Sequence, residues 1–318
     1  MNDAPPTTER WPAAGKSGTI PAERTQSSRR DDNPMATSRV TVGLLHPGEM
    51  GSAVGATLVA SGARVVWASD GRSQATRARA AELGLEDAGS LAAVAAASSV
   101  IVSVTPPHGA PDLATAVARL GFRGLYVDAN AVAPATARRI GSIVEGAGAR
   151  FVDGGIIGPA NRKPGAARLY LSGERAPDVA PLFAAGPIDA IVLDAPSGAA
   201  SALKMAYAGW TKGSQALLAT MRAFALAEGV EDALLAEWKI SQPELPARSE
   251  RAYRDNARKA WRFVGEMEEI AASLKAAGLP PEFHEGAREI YTRLSDYKDT
   301  TEGPTISEAA ATLLSRKA

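Results

Sequence analysis

The residues with the plainest chemical potential lie at 40–51, V-T-V-G-L-L-H-P-G-E-M-G. Val40, Val42, Leu44 and Leu45 form an apolar run that reads as a buried strand, and Pro47-Gly48 breaks it before a helix-compatible segment at 50–60. A strand, a tight glycine turn and a helix in that order bring backbone N–H groups and the positive end of a helix dipole up to an anion. The pyrophosphate of a dinucleotide is the anion that such a turn fits. His46, Pro47, Gly48, Glu49, Met50 and Gly51 are therefore candidate cofactor-binding residues. Gly48 and Gly51 take the second and third positions of the G-x-G-x-x-G fingerprint, and His46 stands at the first. A second apolar run, 64–68, ends in Ser69-Asp70-Gly71-Arg72, where the second strand of such a unit meets the adenosine ribose. An acidic residue there accepts the ribose hydroxyls of NAD, whereas serine with arginine suits the 2′-phosphate of NADP. Ser69, Asp70 and Arg72 are the candidates, and their order favours NADP, with NAD as the alternative.

The elements that position these residues alternate from residue 38 onward. Strands are expected at 40–45, 64–68, 100–104, 124–128 and 151–157, with Ala-rich helices at 51–61, 73–83, 91–97, 111–120 and 134–146. Two short strands, 168–172 and 190–193, close the unit. This alternation predicts a parallel sheet covered on both faces, in which ligands bind at the carboxyl ends of the strands. Three strand ends then matter: His46-Pro47-Gly48, Thr105-Pro106-Pro107 and Asp128-Ala129-Asn130. Thr105 and Pro106 join the cofactor candidates, and His108 just beyond is either a ribose contact or a loop residue. Asn130 can hydrogen-bond a substrate carboxylate or carbonyl, or equally cap the helix that begins near Pro134. After Pro196 the chain reads as helix alone, with a long segment at about 197–229 followed by 231–240, 246–277, 281–297 and 307–315. The expected fold is α/β: a disordered tail at 1–37, an N-terminal Rossmann-type parallel-sheet domain at 38–195, and an all-α C-terminal domain at 196–318 that begins with a long interdomain helix.

Composition narrows the function. Lys plus Arg and Asp plus Glu number 35 each, so no net field favours nucleic acid or an anionic membrane. The absence of cysteine removes thiolate nucleophiles, disulfides and thiolate metal sites, and three scattered histidines make no metal cluster. No run of roughly eighteen apolar residues is present, and Arg29-Arg30 precede Asp31 and Asp32 where an export signal needs an apolar segment. A cytoplasmic protein is expected, with Met35 an alternative start to Met1.

The sequences His-Pro-Gly-Glu-Met-Gly at 46–51, Asp-Gly-Gly-Ile-Ile-Gly-Pro at 153–159 and Arg-Leu-Tyr-Leu-Ser-Gly at 168–173, followed by the all-helical half, resemble the β-hydroxyacid dehydrogenase superfamily. That superfamily includes 3-hydroxyisobutyrate and 6-phosphogluconate dehydrogenases, and the resemblance, over about 39–297, is to a branch with a C-terminal domain of unknown function. It implies that Lys204, near the start of the long helix, is catalytic and faces the nicotinamide, where an apolar wall would lower its pKa enough to move a proton. Helical spacing places Tyr207, Ala208 and Thr211 on the face of Lys204, and Tyr207 is the candidate to replace the asparagine that the family carries where Ala208 stands. Of the substrate loop, Gly158 stays aligned while serines are absent at Asn130 and near Ile157, and Arg162 with Lys163 are an anion site or an exposed basic turn. Glu266, Glu268 and Glu269 are either a cluster complementing a cationic substrate or a solvated helix face.

Together these readings predict an NADP(H)-dependent oxidoreductase acting on a small hydroxy or keto substrate. The alternatives are an imine reductase-like reduction of C=N and a dinucleotide-binding protein without catalysis. The resemblance also implies a homodimer through the helical half.

Overall fold

Apolar runs buried on both faces make the strands of the N-terminal half. The computed structural model describes residues 40–315 apart from 162 and 299. The tail expected at 1–37, with its alternative start Met35, and the basic residue Arg162 lie outside the described residues. All described residues belong to one unit, Arg39–Ala318. In chain order its first elements are β1 (Thr41–Leu45), α1 (Glu49–Ala60), β2 (Arg64–Trp67), α2 (Gln74–Glu82), β3 (Glu86–Asp87), α3 (Leu91–Ala97), β4 (Val100–Ser103), α4 (Ala110–Arg119), β5 (Leu125–Asp128), α5 (Pro134–Gly146) and β6 (Arg150–Ile157). There follow β7 (Ala167–Ser172), α6 (Ala176–Val179) and β8 (Ile188–Val192), and then helices only.

The eight strands form one sheet in the order β3-β2-β1-β4-β5-β6-β7-β8. From β1 the chain winds one way through β2 to β3 and the other way through β4, β5 and β6, all parallel. The order therefore reverses between β1 and β4, and the crevice beyond their carboxyl ends is the place where a parallel sheet binds ligands. One face of the sheet packs Val42, Leu44, Val102 and Val127 against Val54 and Leu58 of α1. The other packs Leu45, Ile101 and Tyr126 against α3, α4 and α5.

Two features differ from the pattern expected. β7 runs antiparallel to β6, because the short connection 158–166 contains no helix and a parallel return needs a crossover. β3 is a strand of two exposed acidic residues, which no apolar run could announce.

The helical half comprises α7 (Ala199–Ala227), α8 (Glu231–Ser241), α9 (Leu245–Ala257), α10 (Ala260–Ala276), α11 (Glu282–Leu294) and α12 (Ile306–Leu314). The single helix expected at 246–277 is two, broken at Arg258-Lys259 without glycine or proline. Packing accounts for the break: α9 lies on α7, α8 and α12, whereas α10 lies on α7 and α11. No helix of the described residues is long and apolar enough to cross a membrane.

α7, about 44 Å long at 1.5 Å per residue, starts without a capping side chain of its own. Its orphan N–H groups are satisfied from the sheet. Asp153 Oδ2, on β6, accepts the N–H groups of Gly198 at 2.9 Å and Ser201 at 3.0 Å and the Ser172 hydroxyl at 2.8 Å. The Ser201 hydroxyl donates to Oδ1 at 2.5 Å, and Ser172 Oγ accepts the Ala200 N–H at 3.0 Å. Gly155, two residues further along β6, allows the helix close: a Cβ there would lie 2.6 Å from the Ala200 carbonyl oxygen and 3.1 Å from Lys204 Cβ.

Asp153→Asn would aim an amide NH2 at donors in a site with no solvent access. Such a variant is expected to lose about 3 kcal/mol of stability, read from urea denaturation, and a loss below about 1 kcal/mol would show that the cap is dispensable.

Candidate active site

The turn after β1 is built around one strained residue. His46 has φ 68°, the only non-glycine residue in the left-handed region among those described. Such a conformation costs an L-residue roughly 1–2 kcal/mol. It lets the chain double back, so that the Gly48 N–H donates to the His46 carbonyl at 2.8 Å. A Cβ on Gly51 would stand 2.1 Å from that same oxygen, so α1 reaches the turn only with glycine there. A Cβ on Gly48 would meet nothing within 4 Å, which leaves open space in front of the helix. The first intrahelical bond is donated by Ser52, and no side chain caps the N–H groups of Glu49, Met50 and Gly51. Uncapped N–H groups, a helix dipole and free space fit a pyrophosphate. The Glu49 side chain turns instead toward α10 and meets Arg262 at 2.8 Å, and that hydrogen bond holds its carboxyl below the ordinary range.

At the adenosine end the three candidates separate. Ser69 is buried, its hydroxyl bonded to Asp87 and its carbonyl to Arg77 at 2.8 Å. It was expected at the position that discriminates the ribose, and the structure withdraws it, because β2 ends with this side chain turned toward β3. Asp70 is exposed and Arg72 half-buried. The Arg72 guanidinium lies on the imidazole of His46, Nη1 at 3.1 Å from Nδ1 and Nη2 at 2.7 Å from Nε2. His46, Asp70 and Arg72, with Leu44, Ala68 and Leu91, line a recess of about 110 Å³. Burial and then the neighbouring Arg72 push the His46 pKa down to about 4, so its ring is neutral near pH 7.

At the ends of β4 and β5, Asn130 is buried and its amide is fully engaged. Its Oδ1 accepts the Thr105 N–H at 2.5 Å, and its Nδ2 donates to Ser103 Oγ at 3.1 Å and to Asp128. The amide thus ties two strand ends together, with both Nδ2 hydrogens engaged and one acceptor position left on Oδ1. Burial first and then the adjacent Asp153 push the Asp128 pKa up to about 8, against the opposing bonds from Asn130. The Thr105 hydroxyl reaches His46 Nδ1 at 3.5 Å, while Pro106 and His108 are exposed.

Lys204 lies in the second turn of α7 with its Cβ against Gly155. Burial chiefly, then repulsion from Lys212, lower its pKa to about 8, and Glu266 opposes them. Ala208 and Lys212 follow at helical spacing, and Lys212 pairs with Glu266 of α10 while its ammonium sits 5.0 Å above the Phe263 ring. Glu269 caps α5 from across the fold, accepting the Ala133 N–H at 2.5 Å and the Thr136 hydroxyl at 3.1 Å. Glu268 faces Arg288 at 3.4 Å on the surface. The three carboxylates are therefore not a cluster awaiting a cation, since each has a separate partner. Tyr207, one turn beyond Lys204, is 47% exposed, as are its neighbours Leu203 and Trp210 to 36% and 71%. Gly158, with φ 130°, ends β6 where a Cβ would meet the Ala166 carbonyl oxygen at 2.6 Å, and Lys163 is exposed.

Sequence reasoning missed two contributors, Asp153 and Lys212, and gave Glu269 no part in capping α5. Only Lys212 carried a usable signal, its spacing two helical turns beyond Lys204.

A glycine turn opening a helix at the switch point of a parallel sheet is the arrangement of an NAD(P)-binding domain. Residues 41–184 match the NAD binding domain of 6-phosphogluconate dehydrogenase, and residues 225–294 match a domain of unknown function (DUF1932). The two matches in this order resemble a β-hydroxyacid dehydrogenase-like arrangement that carries this C-terminal domain. An uncharacterised 28.5 kDa protein of Methanothermus fervidus is 32% identical over 166 residues, 52% of this chain, which spans 63% of the length of that relative. Among solved structures, a conserved protein of unknown function described as structurally similar to 3-hydroxyacid dehydrogenases has a TM-score of 0.62 at 28% identity, covering 81% of this chain and 98% of its own. The 3-hydroxyisobutyrate dehydrogenase of Mycobacterium tuberculosis, solved with L-serine, shares the fold with a TM-score of 0.65 at 18% identity over 87% of this chain and 100% of its own. An imine reductase of Bacillus cereus shares it more loosely, with a TM-score of 0.50 at 16% identity over 86% and 98%.

If Lys212 and Glu266 set the proton affinity of Lys204, the two substitutions act in opposite directions. Lys212→Met removes a repelling charge and raises the pKa of Lys204, whereas Glu266→Gln removes an attracting one and lowers it. The pH dependence of Lys204 acylation, followed by mass spectrometry, reads both shifts. Shifts in the same direction, or none, would contradict the assignment.

Proposed function

We propose that the protein is an NADP(H)-dependent oxidoreductase that moves hydride between the nicotinamide and a small hydroxy or keto substrate, with Lys204 as the proton-transfer group. The observation that carries this reading is a half-buried lysine with its pKa lowered to about 8, on a helix anchored to the dinucleotide-binding sheet. The nicotinamide supplies or accepts the hydride at C4. In the direction of oxidation, neutral Lys204 takes the hydroxyl proton as the C–H bond gives up hydride and the carbonyl forms. In reduction, the Lys204 ammonium returns that proton to the carbonyl oxygen. A pKa near 8 keeps both forms populated close to neutrality, which suits a group used in both directions. Gly155 keeps the lysine backbone against the sheet, and the Lys212–Glu266 pair places a compensated charge two turns further along α7.

Reduction of C=N has less support. The carboxylates that would complement an iminium are engaged by Lys212, by Arg288 and by the start of α5. A cytoplasmic protein that uses the soluble NADP(H) pool is the setting this reading implies.

A homodimer through α7 belongs to the same proposal. Leu203, Tyr207, Trp210, Leu217, Met221 and Phe224 are all exposed, and their spacing alternates between four and three residues around Ser214. That is the period of a helix seam made to meet another helix. Trp210→Glu at the middle of the seam is expected to give a monomer in sedimentation, and an unchanged oligomer would reject the seam.

For catalysis, Lys204→Ala is expected to lower turnover of the best substrate in a panel of hydroxy acids and keto acids by about a thousandfold. NADPH affinity should stay within about twofold if no binding contact of Lys204 is lost. A rate within tenfold of wild type would remove Lys204 from the chemistry.

A further inference from the structure

We propose that His46 is a positioning residue for Arg72, and that the guanidinium it holds is what selects NADP(H) over NAD(H). This rests on the reading of 46–51 as a dinucleotide turn. The imidazole occupies the position where the fingerprint has its first glycine, and it does so in a backbone conformation that glycine adopts freely and histidine does not. A strained non-glycine residue at that position persists only where the surrounding structure holds it.

The side chain is held on two sides. Arg72 places one guanidinium nitrogen at each ring nitrogen, 3.1 and 2.7 Å away, and the Thr105 hydroxyl approaches Nδ1 at 3.5 Å. A neutral imidazole has one unprotonated ring nitrogen, so only one of the guanidinium contacts is a hydrogen bond. The other is contact between two planar groups, of the kind that arginine makes with rings. Together they fix the end of a side chain that is otherwise among the most mobile. Asp70, exposed on the same loop, attracts Arg72 electrostatically and does not share its hydrogen bonds with His46.

The recess that these residues line opens from the end of β2, where the adenosine ribose of a bound dinucleotide lies. Arg72 retains Nε–H and the second hydrogen on each nitrogen that faces the ring, and a phosphate on the ribose 2′-oxygen is the group that a planar, permanently charged fork recognises. Of the other two candidates, Ser69 is turned away into its contact with Asp87, and Asp70 lines the recess with its charge beside that of Arg72. Discrimination therefore falls to Arg72, and the orientation of Arg72 falls to His46.

The test is fluorescence titration of NADPH and NADH against wild type, His46→Gly, His46→Asn, Arg72→Ala and the double variant His46→Gly/Arg72→Ala. Glycine relieves the backbone strain and completes the fingerprint, so a folding defect is not expected to confound it. We expect wild type to prefer NADPH, and His46→Gly to lose about tenfold of that preference through weaker NADPH binding alone, with NADH unchanged. His46→Asn, which tolerates positive φ and offers an acceptor, should recover part of the loss. The double variant should bind NADPH no more weakly than Arg72→Ala. An unchanged NADPH to NADH ratio in His46→Gly, equal loss of both nucleotides, or tighter NADPH binding would each overturn the inference, the last by showing that the ring competes with the nucleotide for Arg72. Preference of wild type for NADH would overturn it too. Failure of wild type to bind either nucleotide would instead overturn the dinucleotide reading on which it rests.

Discussion

The carboxylate of Asp153 is the constraint on which the site depends. It lies on a buried strand with no solvent access, and it receives two backbone N–H groups and two hydroxyls from β7 and the start of α7. A helix start enclosed by protein must find acceptors within it, and the Asp153 carboxylate takes the N–H groups of Gly198 and Ser201 while Ser172 Oγ takes that of Ala200. Two consequences follow directly from this one charge. The helix axis is fixed against β6 at Gly155, which sets the depth of Lys204. In addition, Asp153 lies opposite Asp128 on the adjacent strand and adds to burial, the larger cause, in pushing the Asp128 pKa up to about 8. Asp128 and Asn130 then brace the ends of β4 and β5, and Thr105, two residues beyond β4, hangs from that brace.

A second layer of contacts holds α10 to the sheet. Glu269 caps the first turn of α5, which has no capping side chain of its own, and so joins the helical half to a strand end through a part-buried bond to a backbone N–H. Glu49 and Arg262 also join the two halves, at the dinucleotide turn, but both side chains are largely exposed. Exposed pairs are worth about 0–1 kcal/mol, so the Glu269 cap carries more of the attachment. The Lys212–Glu266 pair lies further along the same interface and sets the electrostatic surroundings of Lys204.

Legibility in the sequence followed the range of the interaction. Residues 40–51 were readable because a buried strand, a glycine turn and a helix each leave a local mark, and the long α7 was readable from its lack of breakers. Lys204 was located by resemblance, since nothing local separates it from a surface lysine. Asp153 was invisible because its partners Ser172, Gly198 and Ser201 lie 19, 45 and 48 residues away. Glu269 meets Ala133 across 136 residues, and the adjacent acidic residues read as a cluster only because sequence cannot show that their partners differ. The strand-tying bonds of Asn130 were illegible for a related reason: a polar residue at a strand end looks the same whether its amide faces a ligand or the next strand. The break at Arg258-Lys259 arises from the different packing of the helices on either side and leaves no breaker residue behind.

The central claim is that the turn at 46–51 and Lys204 are two ends of one nicotinamide dinucleotide site. A crystal structure of the protein with NADP⁺ measures this most directly. The account predicts the pyrophosphate on the N–H groups that open α1, the adenosine phosphate beside Arg72, and nicotinamide C4 positioned so that a substrate oxygen can reach Lys204 Nζ. A nucleotide seated at the turn with its nicotinamide directed away from Lys204 would contradict it.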